Sequence, residues 1–289
     1  MIDMLWFILS LLTAIFESAK DLSSKRALQK LDEYVAAFAL RFFALPFLLP
    51  LLFFIDWSHD IIFWQALFVT VSLNIITTIL YMKAIKISPL SITIPMVTFT
   101  PAFLLLTSPL ILGEFPNIYG VVGILLVVLG SYTLNIRDVK KGFLAPFRAL
   151  ARERGPILML MAVFIWSITA NFDKIAIMHS SPIFFVVNSY VFLSLGLLPI
   201  ALKKSKYIKH SSGNIKYLLP IGFFAALMSI FQMTAFSIAL VAYVIAIKRM
   251  SSVFTTLGGH FFFKEIRIRE RLLGVCIMVL GVLLITLFP

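Results

Sequence analysis

The sequence predicts an all-α polytopic membrane protein, with ten transmembrane helices arranged as two inverted five-helix repeats. Three observations lead there. Apolar residues make up 61% of the 289 and charged residues 13%, with 29 Phe and a mean hydropathy of +1.03. An ordinary soluble domain carries about 45–50% and 25%. Ten stretches each offer about the 20 apolar residues that a helix needs to cross a bilayer. They are residues 3–22, 34–55, 61–85, 90–112, 117–136, 156–177, 182–202, 217–238, 240–263 and 271–288. Finally, the stretch from Leu80 to Gly130 recurs 151 residues later, from Phe231 to Gly281, without a gap.

The stretches must be helices, because hydrocarbon offers backbone N–H and C=O groups no partner outside the segment. Barrel strands would alternate apolar and polar residues, which these runs do not. In the repeat, Met82 meets Met233, Ala84 meets Ala235, Ile94 meets Ile245, Phe103 meets Phe254 and Leu106 meets Leu257. Apolar matches come easily in a chain of this composition. Glu114, Gly123 and Gly130 meeting Glu265, Gly274 and Gly281 do not, and the pattern reads as an internal duplication. The first two helices of each half correspond at an offset of 149, pairing Lys25 with Lys174, Phe43 with Phe192 and Pro50 with Pro199. A basic linker, 137–155, divides a first repeat (1–136) from a second (156–289). Five helices is an odd number, so the second repeat enters the membrane from the opposite side and the duplication becomes an inverted repeat.

Orientation follows Lys and Arg. The loops after odd-numbered spans carry about 21 of the 25, and the other side carries essentially Lys174 alone. This places the odd-numbered loops in the cytoplasm and both termini outside, in a cell (inner) membrane. A basic surface facing anionic lipid accounts for the net charge of +12 without a nucleic-acid partner. The first apolar stretch lacks a basic n-region and a small-residue cleavage site and reads as a retained helix. The single cysteine, Cys276, lies in an apolar run and forms no intramolecular disulfide.

Candidate functional groups follow in chain order. Ser10, Thr13, Glu17, Lys20, Asp21 and Ser24 recur at steps of three and four, forming one polar stripe that should avoid lipid. Glu17 is the deepest carboxylate. It is either a proton-exchanging acid with a pKa raised by burial, or a structural partner of Lys20 one turn on. Asp21 and Lys25 have the spacing of an interfacial ion pair. Arg41 lies inside the second span. Thr70, Asn74, Thr77 and Tyr81 line one face of the third. Trp166, Ser167, Asn171 and Lys174 line the sixth, and Ser229, Gln232 and Thr234 the eighth. Such groups either hydrogen-bond a substrate or tie helices together. Lys248 and Arg249 lie inside the ninth span, with Ser252 on the Lys248 face. A deep cation costs about 2.5–3.5 kcal/mol on insertion scales. The excess of deep cations over deep acids points either to an anionic group on a ligand or to snorkelling toward the interface. His260 reads as structurally satisfied. Glu114 and Glu265 read as acids at the N-termini of the fifth and tenth helices. Gly123, Gly130, Gly274 and Gly281, seven apart in each half, permit close helix contact, either between the last helices of the repeats or between protomers.

Ala84, Pro101, the Leu112–Gly113–Glu114 triplet and the paired glycines, with Ala235, Lys264–Glu265, Gly274 and Gly281, give the chain a resemblance to a known family. Nearly the whole chain is similar to the drug/metabolite transporter superfamily, in its EamA-type branch. Arg41, Lys25 and Lys174 fit the same pattern. The chain departs from it where Ser252 matches Pro101, where Glu17 stands opposite Trp166, and in the side on which the termini fall. The resemblance implies a secondary transporter, with helices 1, 3, 4, 6, 8 and 9 around a central cavity and helices 5 and 10 outside it.

The expected function is non-ATP export of a small polar or amphipathic metabolite by alternating access, with an anionic group on the substrate and protons as a coupling ion. Glu17, Arg41, Asn74, Tyr81, Trp166, Asn171, Gln232, Lys248, Arg249 and Ser252 are the expected substrate-binding or coupling residues. No metal, cofactor or enzyme chemistry is expected. There is no histidine pair at metal spacing, no nucleotide-binding glycine loop and no nucleophile–histidine–acid set. The expected assembly is a monomer or homodimer. Two other readings stay open: a non-transporting scaffold or receptor on a transporter fold, and a lipid flippase or scramblase.

Overall fold

A computed structural model describes residues 2–28, 33–55, 57–58, 60–88, 93–135, 153–204, 215–255, 257 and 272–288. Among the described residues there are helices and no strands. The α-helices are α1 (Ile2–Leu28), α2 (Glu33–Phe42), α3 (Leu45–Leu48), α4 (Ile61–Ile87), α5 (Thr100–Leu112), α6 (Ile118–Asn135), α7 (Arg154–Met178), α8 (Pro182–Lys204), α9 (Ile215–Phe236), α10 (Val241–Lys248) and α11 (Leu272–Leu287). Two 3₁₀ segments, Leu49–Phe54 and Ile94–Phe99, complete the set. Six described segments are long and apolar enough to cross a membrane: Ala37–Phe54, Ile61–Ala84, Pro95–Leu112, Arg154–Met178, Pro182–Lys203 and Leu218–Phe236. Ile118–Leu134 and Leu273–Leu287 are shorter apolar helices. This is a multi-pass membrane protein.

The chain packs as two compact units, one of Met1–Ile75 with Phe172–Ile238 and one of Ile76–Asn171 with Ala239–Pro289. Each draws on both halves of the sequence.

In the first unit, α1 lies along α9, with Phe16 stacked on Phe231 at 5.5 Å and on Phe224 at 6.3 Å between ring centroids. Of the polar stripe of α1, Ser10 and Thr13 are buried, Glu17, Lys20 and Ser24 are partly buried and Asp21 is exposed, while Met4, Ile8 and Ile15 on other faces are exposed. Ser10 and Thr13 donate to the carbonyls of Trp6 and Leu9 one turn back, so both hydroxyls are satisfied inside lipid. The second expected span is not one continuous helix. α2 ends at Phe42, and α3 and the 3₁₀ segment carry it on. Pro46 and Pro50 each lack the N–H that a straight helix would use. The matching span in the other half, α8, keeps only Pro199, which matches Pro50, and runs unbroken for 23 residues.

In the second unit, α6 and α11 touch backbone to backbone. A Cβ on Gly123 would lie 2.7 Å from the Gly281 carbonyl oxygen, and one on Gly130 would lie 2.6 Å from that of Gly274. The order runs 123 to 130 on one helix and 281 to 274 on the other, so the pair is antiparallel. The glycines serve a contact within the chain. Two further spans are pinched. The fourth begins as 3₁₀ over Ile94–Phe99, with Pro95 and Pro101 at the segment starts. The ninth leaves α-geometry at Arg249, where Met250, Ser252 and Val253 donate to carbonyls three residues back, and residues 251–255 then continue as helix. This second pinch needs no proline. Glu114 does serve a helix N-terminus, but that of α10: its Oε2 accepts from the Val241 N–H at 3.0 Å. The first amide of α10 has no carbonyl of its own to reach, and Glu114 supplies the acceptor.

Candidate functional site

In the first unit the charged groups of α1 form a chain. Lys20 Nζ donates to Glu17 Oε1 at 2.9 Å and lies 3.4 Å from Asp21 Oδ1. The Glu17 and Lys20 side chains are only 17% and 13% exposed, whereas Asp21 is 45% exposed, so the pair is held inside and its tail reaches outward. Arg41, in the last turn of α2, places its guanidinium 4.8 Å from the centre of the Tyr190 ring on α8. Such a contact attracts a cation through the ring's negative face. Tyr190 is in turn fixed by α9: its hydroxyl is 2.7 Å from Ser229 Oγ and donates to the Ala225 carbonyl at 3.1 Å. Gln232 lies buried one turn beyond Ser229. Arg41 and Tyr190 are also repeat partners at the offset of 149, so a cation meets its own counterpart.

In the second unit the two pinched spans meet. Arg249 Nη2 reaches Thr100 Oγ1 at 3.5 Å, and Thr100 Oγ1 donates to the Val97 carbonyl at 2.8 Å. Lys248 and Ser252 are half-buried beside Arg249, and the hydroxyl residues Thr98, Thr100 and Ser251 are buried. Carried back by 151, the turn at 249–250 falls on 98–99, the end of the Ile94–Phe99 segment, so the two pinches overlap there.

The remaining expected residues have clear partners. Asn171 donates to Thr107 Oγ1 at 3.0 Å and to the Ser167 carbonyl at 2.8 Å, and accepts from Ser108 Oγ at 2.7 Å. These bonds tie α5 to α7. The Tyr81 and Trp166 rings are 5.9 Å apart and pack on the core of Ala84, Met96, Tyr132, Met159 and Val163. Asn74 donates to the Thr70 carbonyl of its own helix at 3.0 Å.

Sequence reasoning missed three groups. Asp173 is buried and accepts from Thr70 Oγ1 at 2.8 Å. Its signal, a carboxylate inside an apolar run beside Asn171, was visible. Tyr190 could have been found by carrying Arg41 across the repeat. Asp60 and His179, 2.7 Å apart between Oδ2 and Nδ1, lie in loops 119 residues apart and gave no local signal. Asp60 is held below the usual carboxylate range, first by the Ile62 N–H on its Oδ1 and then by His179.

The Lys25 side chain, Gly259, His260, Lys264, Glu265 and most of the 137–155 linker lie outside the described residues. Among the described residues, no group of three or more His, Cys, Asp or Glu could hold a metal ion. A groove of about 460 Å³ beside the broken second span is lined by the largely apolar side chains of Pro46, Leu49, Pro50, Leu52, Phe53 and Trp57 and holds none of the expected site residues.

Apolar helices carrying half-buried cations and buried hydroxyls, with helices pinched where Arg249 meets Thr100, are the features of a membrane transporter. The chain matches the EamA-like transporter family over residues 4–136 and again over 153–287, and it belongs to that family. It is 26% identical to an "uncharacterized transporter" of Archaeoglobus fulgidus over 296 residues, covering 99% of each chain. A protein of known crystal structure superposes with a TM-score of 0.70 at 16% identity, over 96% of both chains, which establishes likeness of fold.

Proposed function

We propose that this protein is a secondary transporter that exports a small polar or amphipathic metabolite carrying an anionic group, by alternating access and without ATP. Its ten spans form two inverted five-helix repeats, residues 1–136 and 156–289, joined by a basic cytoplasmic linker, 137–155. It works in the cell (inner) membrane, with both termini outside, as a monomer or homodimer.

The observation that carries this reading is the pair of matched pinches. Interrupted helices at corresponding positions of two repeats are where secondary transporters build their binding sites. Here Arg249 of one repeat reaches Thr100 of the other, with Lys248 adjacent in sequence to Arg249. The inversion is supported by the α6–α11 contact. Exchanging the halves turns the Gly123–Gly281 contact into the Gly274–Gly130 contact, and the helices are antiparallel. A two-fold axis across the helices has this property. Arg249 and Lys248 then hold the anionic group, with Ser252 beside them. Arg41 adds a second cation on the first unit, Glu17 is the coupling acid, and Gln232, Tyr81, Trp166, Asn74 and Asn171 line and brace the route.

The test begins with purified protein in nanodiscs, exposed to a metabolite extract. Small molecules that raise its melting temperature are identified by mass spectrometry and then supplied to proteoliposomes. An anionic metabolite that stabilises the protein and crosses the membrane is the expected result. Arg249→Gln should weaken its binding about 10- to 100-fold, the weight of a hydrogen bond to a charged group. Flux of no stabilising molecule, with or without a proton gradient, would overturn the reading. Unchanged affinity in Arg249→Gln would remove the pinch from the site.

A further inference from the structure

A second titratable site lies away from the pinches, in the loops of the first unit. Segment 58–62 opens α4, and the turn 179–181 joins α7 to α8. Four hydrogen bonds knot them. Asp60 Oδ2 meets His179 Nδ1 at 2.7 Å. Asp60 Oδ1 accepts from the Ile62 N–H at 2.8 Å. Ser58 Oγ donates to the His179 carbonyl at 2.9 Å and accepts from the Asp60 N–H at 3.3 Å. Beside the knot, Trp57 packs against Phe184 of α8 at 5.9 Å between centroids. The side chains of His179 and Asp60 are 35% and 37% exposed, so protons reach both.

We propose that the Asp60–His179 pair is a proton-binding latch, which holds the start of α4 to the end of α7 more tightly when the imidazole is charged and loosens when the imidazole is neutral. Histidine is the side chain whose charge ordinarily changes between pH 5 and 8. Asp60 remains a carboxylate throughout that range, because the Ile62 amide stabilises its charge independently of His179. Neutral His179 keeps a hydrogen bond to Asp60, while charged His179 adds an ion pair. Among the described residues, the charged groups near it in sequence are few. Along α7 they are Asp173, bonded to Thr70, and Lys174, five residues before His179; the start of α8 carries only Ser180 and Ser181 before Pro182. Asp56 and His59 flank the segment in sequence and lie outside the described residues.

The repeat offsets carry Asp60 to Ser211 and His179 to Lys30, so neither member of the pair recurs at its own repeat position. The consequence for transport rests on the function proposed above: acid on the face that carries the pair favours its closed state.

The test is hydrogen–deuterium exchange of the full-length protein in nanodiscs at pH 5.5 and pH 8, corrected for intrinsic exchange rates. Amides of 58–62 and 179–185 should open about two- to fivefold more at pH 8, the ratio that a partly exposed ion pair supports. His179→Gln should open equally at both pH values. Asp60→Asn, which still caps Ile62, should likewise lose the pH dependence while keeping that amide protected. Wild-type protection that does not change with pH, or a pH response that survives in His179→Gln, overturns the latch. Exchange needs no substrate, so a protein that shows this response but moves no metabolite would refute the transport reading and leave the latch standing.

Discussion

Gly130→Ala probes the tightest contact in the fold. The new Cβ would lie 2.6 Å from the Gly274 carbonyl oxygen, 2.6 Å from Met278 Cγ and 2.7 Å from Met278 N, where ordinary contact begins at 3.4 Å. Met278 Cγ can rotate aside. The other two atoms are backbone, so α11 must retreat by about 0.8 Å, the shortfall in contact distance. That retreat also loosens Gly123 against Gly281, seven residues along, and thins the packing around buried Met278. Overpacking of this kind costs about 1–3 kcal/mol. Against it, alanine improves a helix interior by about 0.5–1 kcal/mol. The clash outweighs the gain over nearly all of these ranges, leaving a net loss of up to about 2.5 kcal/mol. At roughly 2–4 °C per kcal/mol, thermal unfolding in detergent should move down by a few degrees. The reciprocal geometry adds a sharper expectation. One retreat relieves both clashes, so Gly130→Ala/Gly274→Ala should lose less than the sum of the two single losses. A single variant as stable as the parent, or a double variant that is strictly additive, would show that the helices do not meet in this way.

Two further outcomes bear on transport and orientation. Glu17→Gln in proteoliposomes should abolish the dependence of flux on a proton gradient; flux that keeps it leaves Glu17 a structural role, such as its bond to Lys20. A cysteine at Ser58 should react with an impermeant maleimide in intact cells, and one at Ser211 only after permeabilisation. The reverse pattern would invert the orientation drawn from the basic loops.

The class of the fold was legible because hydrocarbon leaves the chain little choice. Long apolar runs must be helices, and the inward face of α1 could be read from Ser10, Thr13 and Glu17 at helical spacing. Where the helices break was only partly legible. Pro46, Pro50 and Pro95 mark two breaks by removing donors. The third, at Arg249, has no proline, and only its repeat position relative to Ile94–Phe99 announces it. Glu114 was legible as an acid for a helix N-terminus, but not which one. Its nearest amides in sequence belong to α6, and its partner Val241 lies 127 residues away. Asp60 and His179 were illegible for the same reason: a hydrogen bond across 119 residues leaves no periodicity behind. Asn171 stood between two readings in the sequence, and its three bonds to Thr107, Ser108 and Ser167 favour the bracing one.

The repeat itself separates what the fold needs from what the activity needs. Groups that hold helices together occur in both halves: Gly123 and Gly274, Gly130 and Gly281. Most charges inside the expected spans occur in one half only. Glu17 stands opposite Trp166, Lys20 opposite Thr169, Asp21 opposite Ala170, Arg41 opposite Tyr190, Lys248 opposite Val97 and Arg249 opposite Thr98. Asp173, bonded to Thr70 and standing opposite Ser24, shows that a charge can also brace one half alone. Each deep cation, however, carries an insertion cost of a few kcal/mol that the matching position of the other half does without. The asymmetric cations, with Arg249 at a pinch and Arg41 over its own counterpart Tyr190, are therefore the first residues to test for a role in transport rather than in packing.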